Sequence, residues 1–225
     1  SGGELYRALQ AGVDPRKIVF SGVGKTREDM EYALRSDILM FNVESSQELG
    51  LLNEAAAGMQ KQARVGIRVN PDVDPQTHPY IATGLKENKF GIDIKSSVED
   101  YRRAAEFPHL TVSGVSCHIG SQLTRVRPFV DALSKLKELI HRLEEAGIPV
   151  NYLDLGGGLG ITYDREEPPL PEEYAKAIAR ELGDTDVTLI LEPGRVIMGN
   201  AGILVTKVLY TKSTEDKHFI IVDAA

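Results

Sequence analysis

The chain has no tryptophan, a single cysteine and only 6% aromatic residues among its 225. One thiol, Cys117, excludes an internal disulfide and fits a reducing compartment, so a cytoplasmic location is expected. No apolar run approaches the roughly 18 residues that a membrane-spanning helix needs. The opening residues, Ser1-Gly2-Gly3-Glu4-Leu5, have neither the charged start nor the apolar core of an export signal. Positive charge is in the minority: 26 Lys and Arg stand against 33 Asp and Glu, a net charge of −7 without a basic cluster. A nucleic-acid or anionic-membrane partner is therefore not expected. Thiol, imidazole and carboxylate side chains do not recur at short zinc-ligand spacings, so no metal is expected either. What remains, 42% hydrophobic and 26% charged, is the composition of an ordinary globular protein.

What is present is an alternation. Short apolar runs predict strands at 17–21, 38–43, 64–70, 110–118, 150–155 and 187–191. Helical periodicity lies between them. Thr26-Arg27-Glu28-Asp29 has the spacing of a capping box, and Val130, Leu133, Leu136, Ile140 and Leu143 form one apolar stripe ended by Gly147 and Pro149. Alternating strands and helices predict a parallel α/β sheet with right-handed crossovers, either doubly wound or closed into a barrel. A polar stretch from Pro71 to Asp93 interrupts the rhythm, and a segment of that length in a compact domain is usually functional or disordered. From about Gly199 the pattern changes to two antiparallel strands, 202–210 and 218–222, read as the start of a β-rich second domain after a first domain of residues 1–198.

Polar and glycine residues gather at the predicted C-terminal strand ends: Ser21-Gly22, Arg68, His118, Gly156-Gly157-Gly158 and Glu192-Pro193-Gly194-Arg195. In a barrel these ends converge on one site, with phosphate held after strands seven and eight. The two glycine turns sit on the last two strands before the β-rich segment. That favours a (β/α)8 barrel of which strands three to eight are present and strands one and two are absent. Val23-Gly24-Lys25-Thr26 resembles the end of a P-loop but has Val19 where the motif needs glycine, and Gly156 to Gly160 fails the dinucleotide spacing. His118 can be a satisfied strand histidine or a site residue. Glu192, costly at the end of an apolar strand without a partner, can pair with Arg195 or meet a protonated ligand nitrogen. Cys117 faces the opposite side from His118 and reads as packing.

Three motifs, Cys117-His118-Ile119-Gly120-Ser121-Gln122, Leu153-Asp154-Leu155-Gly156-Gly157-Gly158-Leu159-Gly160 and Glu192-Pro193-Gly194-Arg195, together resemble the alanine-racemase-like, fold type III decarboxylases that use pyridoxal 5'-phosphate (PLP). Ser1 to Leu5 and the run Gly84 to Ile92 extend the resemblance over essentially the whole chain. It implies a PLP-bearing TIM barrel followed by a β domain, in a homodimer whose active site is shared across the interface. Glu192 would hold the pyridine nitrogen protonated and His118 would stack on the ring; these are the expected catalytic residues. Gly157, Gly158, Pro193, Gly194 and Arg195 would bind the phosphate with Ser121 nearby, Arg195 would also meet a substrate carboxylate, and Arg68 would lie near the cofactor.

The expected reaction is decarboxylation of meso-2,6-diaminopimelate to L-lysine. Arginine, ornithine or carboxynorspermidine are alternative substrates. A non-catalytic PLP-binding homologue, or a phosphate-binding barrel isomerase without PLP, is the reading of another class. In this family the Schiff-base lysine ends the first barrel strand, so the resemblance also implies that the chain is an internal portion of a longer enzyme.

Overall fold

The structure, a computed structural model, describes residues 1–74 and 90–224. Most of the polar stretch after Pro71, including residues 84–89 of the Gly84-to-Ile92 motif, lies outside the described residues.

The chain opens with α1 (Gly2–Gln10), β1 (Val19–Phe20), α2 (Arg27–Ser36), β2 (Met40–Val43), α3 (Ser46–Gly58) and β3 (Ala63–Asn70). It continues with β4 (Ile92–Asp93), α4 (Ser97–Glu106), β5 (Leu110–Ser116), α5 (Arg127–Glu145), β6 (Tyr152–Asp154), α6 (Pro171–Leu182), β7 (Thr188–Ile190) and α7 (Arg195–Met198). Local chemistry accounts for several boundaries. The Thr26 hydroxyl accepts from Asp29 N at 3.1 Å and Asp29 accepts from Thr26 N at 3.1 Å, a complete capping box. Asp29 also accepts from Gly2 N at 2.7 Å, which ties the start of α1 to the start of α2. In α5 the predicted stripe is buried at Leu133, Leu136, Ile140 and Leu143, with Val130 at its margin. Each such side chain contributes about 1.5–3 kcal/mol of transfer free energy. Gly147, at φ 76°, ends the helix in a conformation that glycine adopts without strain.

The strands pair in the order β1-β2-β3-β5-β6-β7, all parallel. Strand alternation sorts the sheet into two faces. Phe41, Val43, Val65, Ile67, Val69, Val115, Leu153 and Leu155 join the hydrophobic core with the helices. The alternate positions, Asn42, Glu44, Arg68, Asn70, Ser116 and Asp154, are buried and polar. Asn42 Nδ2 donates to Asp154 Oδ2 at 2.7 Å although β2 and β6 lie three places apart, so the polar face is concave. Gly66 and Gly114 keep the floor low between them: a Cβ on Gly66 would lie 3.0 Å from Asn42 Oδ1, and one on Gly114 3.1 Å from Met40 Sδ. The sheet is the arc of a barrel rather than a flat doubly wound sheet. Among the described residues, β1 and β7 each pair with one strand only.

Two differences from the predicted elements have physical causes. The two-residue β4 runs parallel beside the end of β3, pairing Val69 with Ile92, where only a polar stretch was expected. It is held by Asn70, whose side-chain amide donates to Phe90 O at 2.5 Å and whose carbonyl accepts from Ile94 N at 3.3 Å. Second, the antiparallel pair is β8 (Val208–Ser213) with β9 (His218–Val222), and its first strand begins six residues later than predicted. Five residues of β9 can pair only that length, which leaves Ile203, Leu204 and Val205 outside the strand and exposed.

Candidate active site

The concave face delivers its polar side chains to the C-terminal ends of the strands. Just past β6, Asp154 Oδ1 accepts from Gly156 N at 2.9 Å and turns the chain back on itself. Gly156 sits at φ 69° and Gly158 at φ 115°. A Cβ on Gly158 would stand 2.2 Å from Gly120 O, and one on Gly157 2.1 Å from Glu192 O. The three glycines thus let the loops after β5, β6 and β7 touch backbone to backbone. Leu123 N donates to Gly158 O at 2.9 Å, and Glu192 N to Gly156 O at 2.9 Å.

His118 lies two residues past the end of β5. Its Nδ1 accepts from Gly157 N at 3.2 Å, which leaves Nε2 as the protonated nitrogen of the neutral ring. Burial foremost, and then the Arg68 guanidinium, lower its pKa; Glu192 and Glu44 pull the other way and lose. His118 is therefore a neutral, half-buried planar group at neutral pH.

Glu192 is exposed at the mouth, where its Oε1 accepts from the Ser21 hydroxyl at 3.0 Å. Both residues border a cleft of about 280 Å³ between α1 and β1. The pairing of Glu192 with Arg195 left open above is not what is found. Arg195 begins α7, donates to Gln122 Oε1 at 3.4 Å and lies 5.7 Å over the Tyr163 ring. Gln122 is itself locked to Ile161, donating to its carbonyl at 2.5 Å and accepting from its N–H at 3.2 Å. Gly194 caps α7, and an added Cβ there would meet nothing within 4 Å. Among the described residues, the N–H groups of Gly158, Gly194 and Arg195 have no hydrogen-bond partner. They stand on the two glycine turns, Gly158 after β6 and Gly194 with Arg195 at the start of α7 after β7. Ser121, on the loop between His118 and Gln122, is half-buried.

Arg68 is buried. Its Nη1 contacts Glu44 at 2.9 Å with both side chains buried, Nη2 donates to the His118 carbonyl at 3.4 Å, and the Phe90 ring lies 4.8 Å away. Its Nε, with Asn42 Oδ1, Asn70 Oδ1 and Ser116 Oγ, is a buried polar atom without a partner among the described residues. Cys117 is packing, as read: it is 2% exposed and burial raises its pKa, so the thiol stays protonated. The P-loop-like turn is explained by Lys25, whose Nζ donates to Gly22 O at 2.7 Å, Asn42 O at 2.6 Å and Glu48 Oε1 at 2.6 Å. Three acceptors saturate the ammonium, which ties the loop after β1 to β2 and α3.

Sequence reasoning placed Ser21 among the strand-end residues without a specific role, and assigned none to Asp154, Asn42 or Glu44. Asp154 carried the same signal as Glu192, a carboxylate inside an apolar strand run. The roles of Asn42 and Glu44 depend on partners that are distant in sequence.

A protein-family model described as pyridoxal-dependent decarboxylase, pyridoxal binding domain, matches residues 1–199. The chain is 58% identical over its whole length to a diaminopimelate decarboxylase of Pseudomonas aeruginosa, covering 54% of that protein. It is 56% identical to one of Pseudomonas fluorescens, again covering 54% of it. Among solved structures it superposes with a TM-score of 0.91 on a diaminopimelate decarboxylase from Helicobacter pylori in complex with L-lysine. That match has 44% identity and covers 99% of this chain and 56% of the other. The chain spans about half the length of the curated relatives it matches.

Proposed function

Because the chain belongs to the pyridoxal-dependent decarboxylases, through their pyridoxal-binding domain, we propose that the full-length gene product decarboxylates meso-2,6-diaminopimelate to L-lysine with PLP. The substrate assignment is supported by relatives 56–58% identical that carry that name. The observation that carries the cofactor assignment is the set of groups at the strand ends: an accessible carboxylate, a neutral imidazole and unpaired N–H groups on the two glycine turns. These match the ring nitrogen, the ring face and the phosphate of PLP in chemistry and in number, so the residues fit the cofactor.

Bound there, PLP supplies an electron sink for the bond broken when carbon dioxide leaves. The chain's own residues bind and orient it. Glu192 places a negative charge where a ring nitrogen is kept protonated, and Ser21 fixes the carboxylate rotamer through its hydroxyl. His118 presents a neutral face, held by the Gly157 N–H. Gly157, Gly158, Pro193, Gly194 and Arg195 shape the phosphate cradle, with Ser121 beside it. Arg195, braced by Gln122 and Tyr163, also offers a cation to a substrate carboxylate. Arg68 is a positioning residue that holds the His118 carbonyl from below.

A homodimer with a second domain from about Gly199 is part of the same reading. It is supported by the large apolar side chains left at the surface there, including Ile203, Leu204, Tyr210 and Ile220. The single buried cysteine supports a reducing cytoplasm. Supplying the full-length protein with PLP and meso-diaminopimelate, arginine or ornithine tests the assignment. Lysine and carbon dioxide should form from the first at a rate far above release from the others. No lysine from diaminopimelate would refute it.

A further inference from the structure

The chemistry above uses Glu192 but leaves unexplained the carboxyl buried beneath it. Asp154 is 1% exposed. Its Oδ2 accepts from Asn42 Nδ2 at 2.7 Å and its Oδ1 from Gly156 N at 2.9 Å. The other hydrogen of Asn42 Nδ2 goes to Ser21 Oγ at 3.0 Å, and the Ser21 hydroxyl goes on to Glu192 Oε1 at 3.0 Å. The two carboxyls are thus linked through neutral donors, and the Asp154 carboxyl also meets that of Glu192 directly as a hydrogen-bond partner. Among the described residues no Lys, Arg or His forms an ion pair with Asp154. Arg68, a guanidinium on the same concave face, is committed to Glu44 at 2.9 Å.

A buried carboxylate without a cation is costly, and a second carboxylate nearby adds repulsion. The titratable and charged groups around Asp154 are Glu192 beyond β7, Cys117 and His118 beyond β5, Arg68 on β3 and Glu44 beyond β2. Cys117 and His118 are neutral at neutral pH and the Arg68–Glu44 pair cancels, so the uncompensated charge facing Asp154 is that of Glu192. Burial, with Glu192 the next cause, raises the Asp154 pKa to about 7. A proton shared by the two goes to the buried member, because the exposed one keeps water as a partner.

We propose that Asp154 is a positioning residue that holds a proton beneath Glu192 and releases it to solvent when a cationic ring nitrogen binds against the Glu192 carboxylate. The proton keeps the pair singly charged while the site is empty, so the anion stands at the mouth rather than in the interior. A cation at Glu192 cancels the repulsion, and Asp154 ionises in response. The inference rests on the reading that Glu192 meets the PLP nitrogen, and the test separates the two.

The full-length protein, freed of PLP and labelled with 13C in its aspartate carboxyls, is followed by difference infrared spectroscopy. A protonated-aspartate carbonyl band should be present near pH 6 and lost by about pH 8, and PLP added near pH 6 should erase it. Asp154→Asn should lack the band. PLP affinity, read from cofactor absorbance, should rise with pH in wild type relative to Asp154→Asn by up to about tenfold per unit below pH 7, then level off. No aspartate band, or parallel affinity profiles, would overturn the proposal even if the enzyme is active. Failure of the wild type to take up PLP would overturn the functional reading and the release step together. The wild-type band alone still decides whether Asp154 holds the proton, and it does so without any variant having to fold.

Discussion

At the scale of single residues, the site is a set of side chains whose charge is decided by depth. His118, Asp154 and Arg68 are all buried or half-buried, and each is handled differently. His118 is kept neutral by burial beside Arg68; Asp154 is raised to about 7; Arg68 is paired with Glu44 at 2.9 Å. Glu192 alone reaches solvent with a carboxylate free to meet a cation. Replacing it with glutamine keeps the shape and the Ser21 contact but removes the negative charge. Glu192→Gln should lower the decarboxylation rate on the order of 10²-fold or more, the range seen when one preorganised electrostatic contact is removed. Steady-state kinetics on the full-length variant, with PLP occupancy checked by absorbance, measures this. A rate within about threefold of wild type would mean that the charge at Glu192 is not used in the chemical step.

At the scale of elements, the strands carry the polar groups and the glycine turns make room for them. The turn after β6 packs against two other loops at backbone distance, and the tolerance for a side chain there is nil. Gly158→Ala must adopt φ 115° and push its methyl against Gly120 O, 2.2 Å from the ideal position. It should destabilise the fold by more than about 1 kcal/mol and weaken PLP binding together. Gly183→Ala is the control, since its φ of 60° is also positive but nothing lies within 4 Å of its added Cβ. Thermal melts of the two variants should differ clearly, with Gly158→Ala the lower.

At the scale of the whole molecule, the concave polar face links pH to stability. The folded Asp154 pKa of about 7 lies above the ordinary value of 3.8. Between those values the folded chain binds a proton that the unfolded chain lacks, so the Asp154 contribution is full below about pH 4 and is lost as pH rises through 7. His118 acts in the opposite sense: its lowered pKa means that stability is lost as pH falls below its unfolded value of 6.5. Denaturant melts of the PLP-free protein across this range, wild type minus Asp154→Asn, isolate the carboxyl. The difference in stability should fall steadily from about pH 5 to about pH 8. A flat difference would show that Asp154 is already ionised throughout.

Much of the architecture follows from sequence alone. The apolar strand runs, the capping box at Thr26, the α5 stripe and the glycine turns depend on covalent geometry and local burial, which act within a few residues. Those signals placed six parallel strands, the helices between them, and Glu192, His118 and Gly158 at the strand ends. Tertiary structure decided the partners. Glu192 meets Ser21, 171 residues away, rather than Arg195, three residues away. Arg68 is paired with Glu44, and Asn42 reaches Asp154 across the arc. The β4 pairing and the late start of β8 likewise depended on which backbone groups found partners in space. The reason is physical: propensity and periodicity are properties of neighbours in the chain. Hydrogen-bond partners, ion pairs and shifted pKa values are properties of neighbours in space, and these exist only once the sheet has curled and brought its strand ends to one mouth.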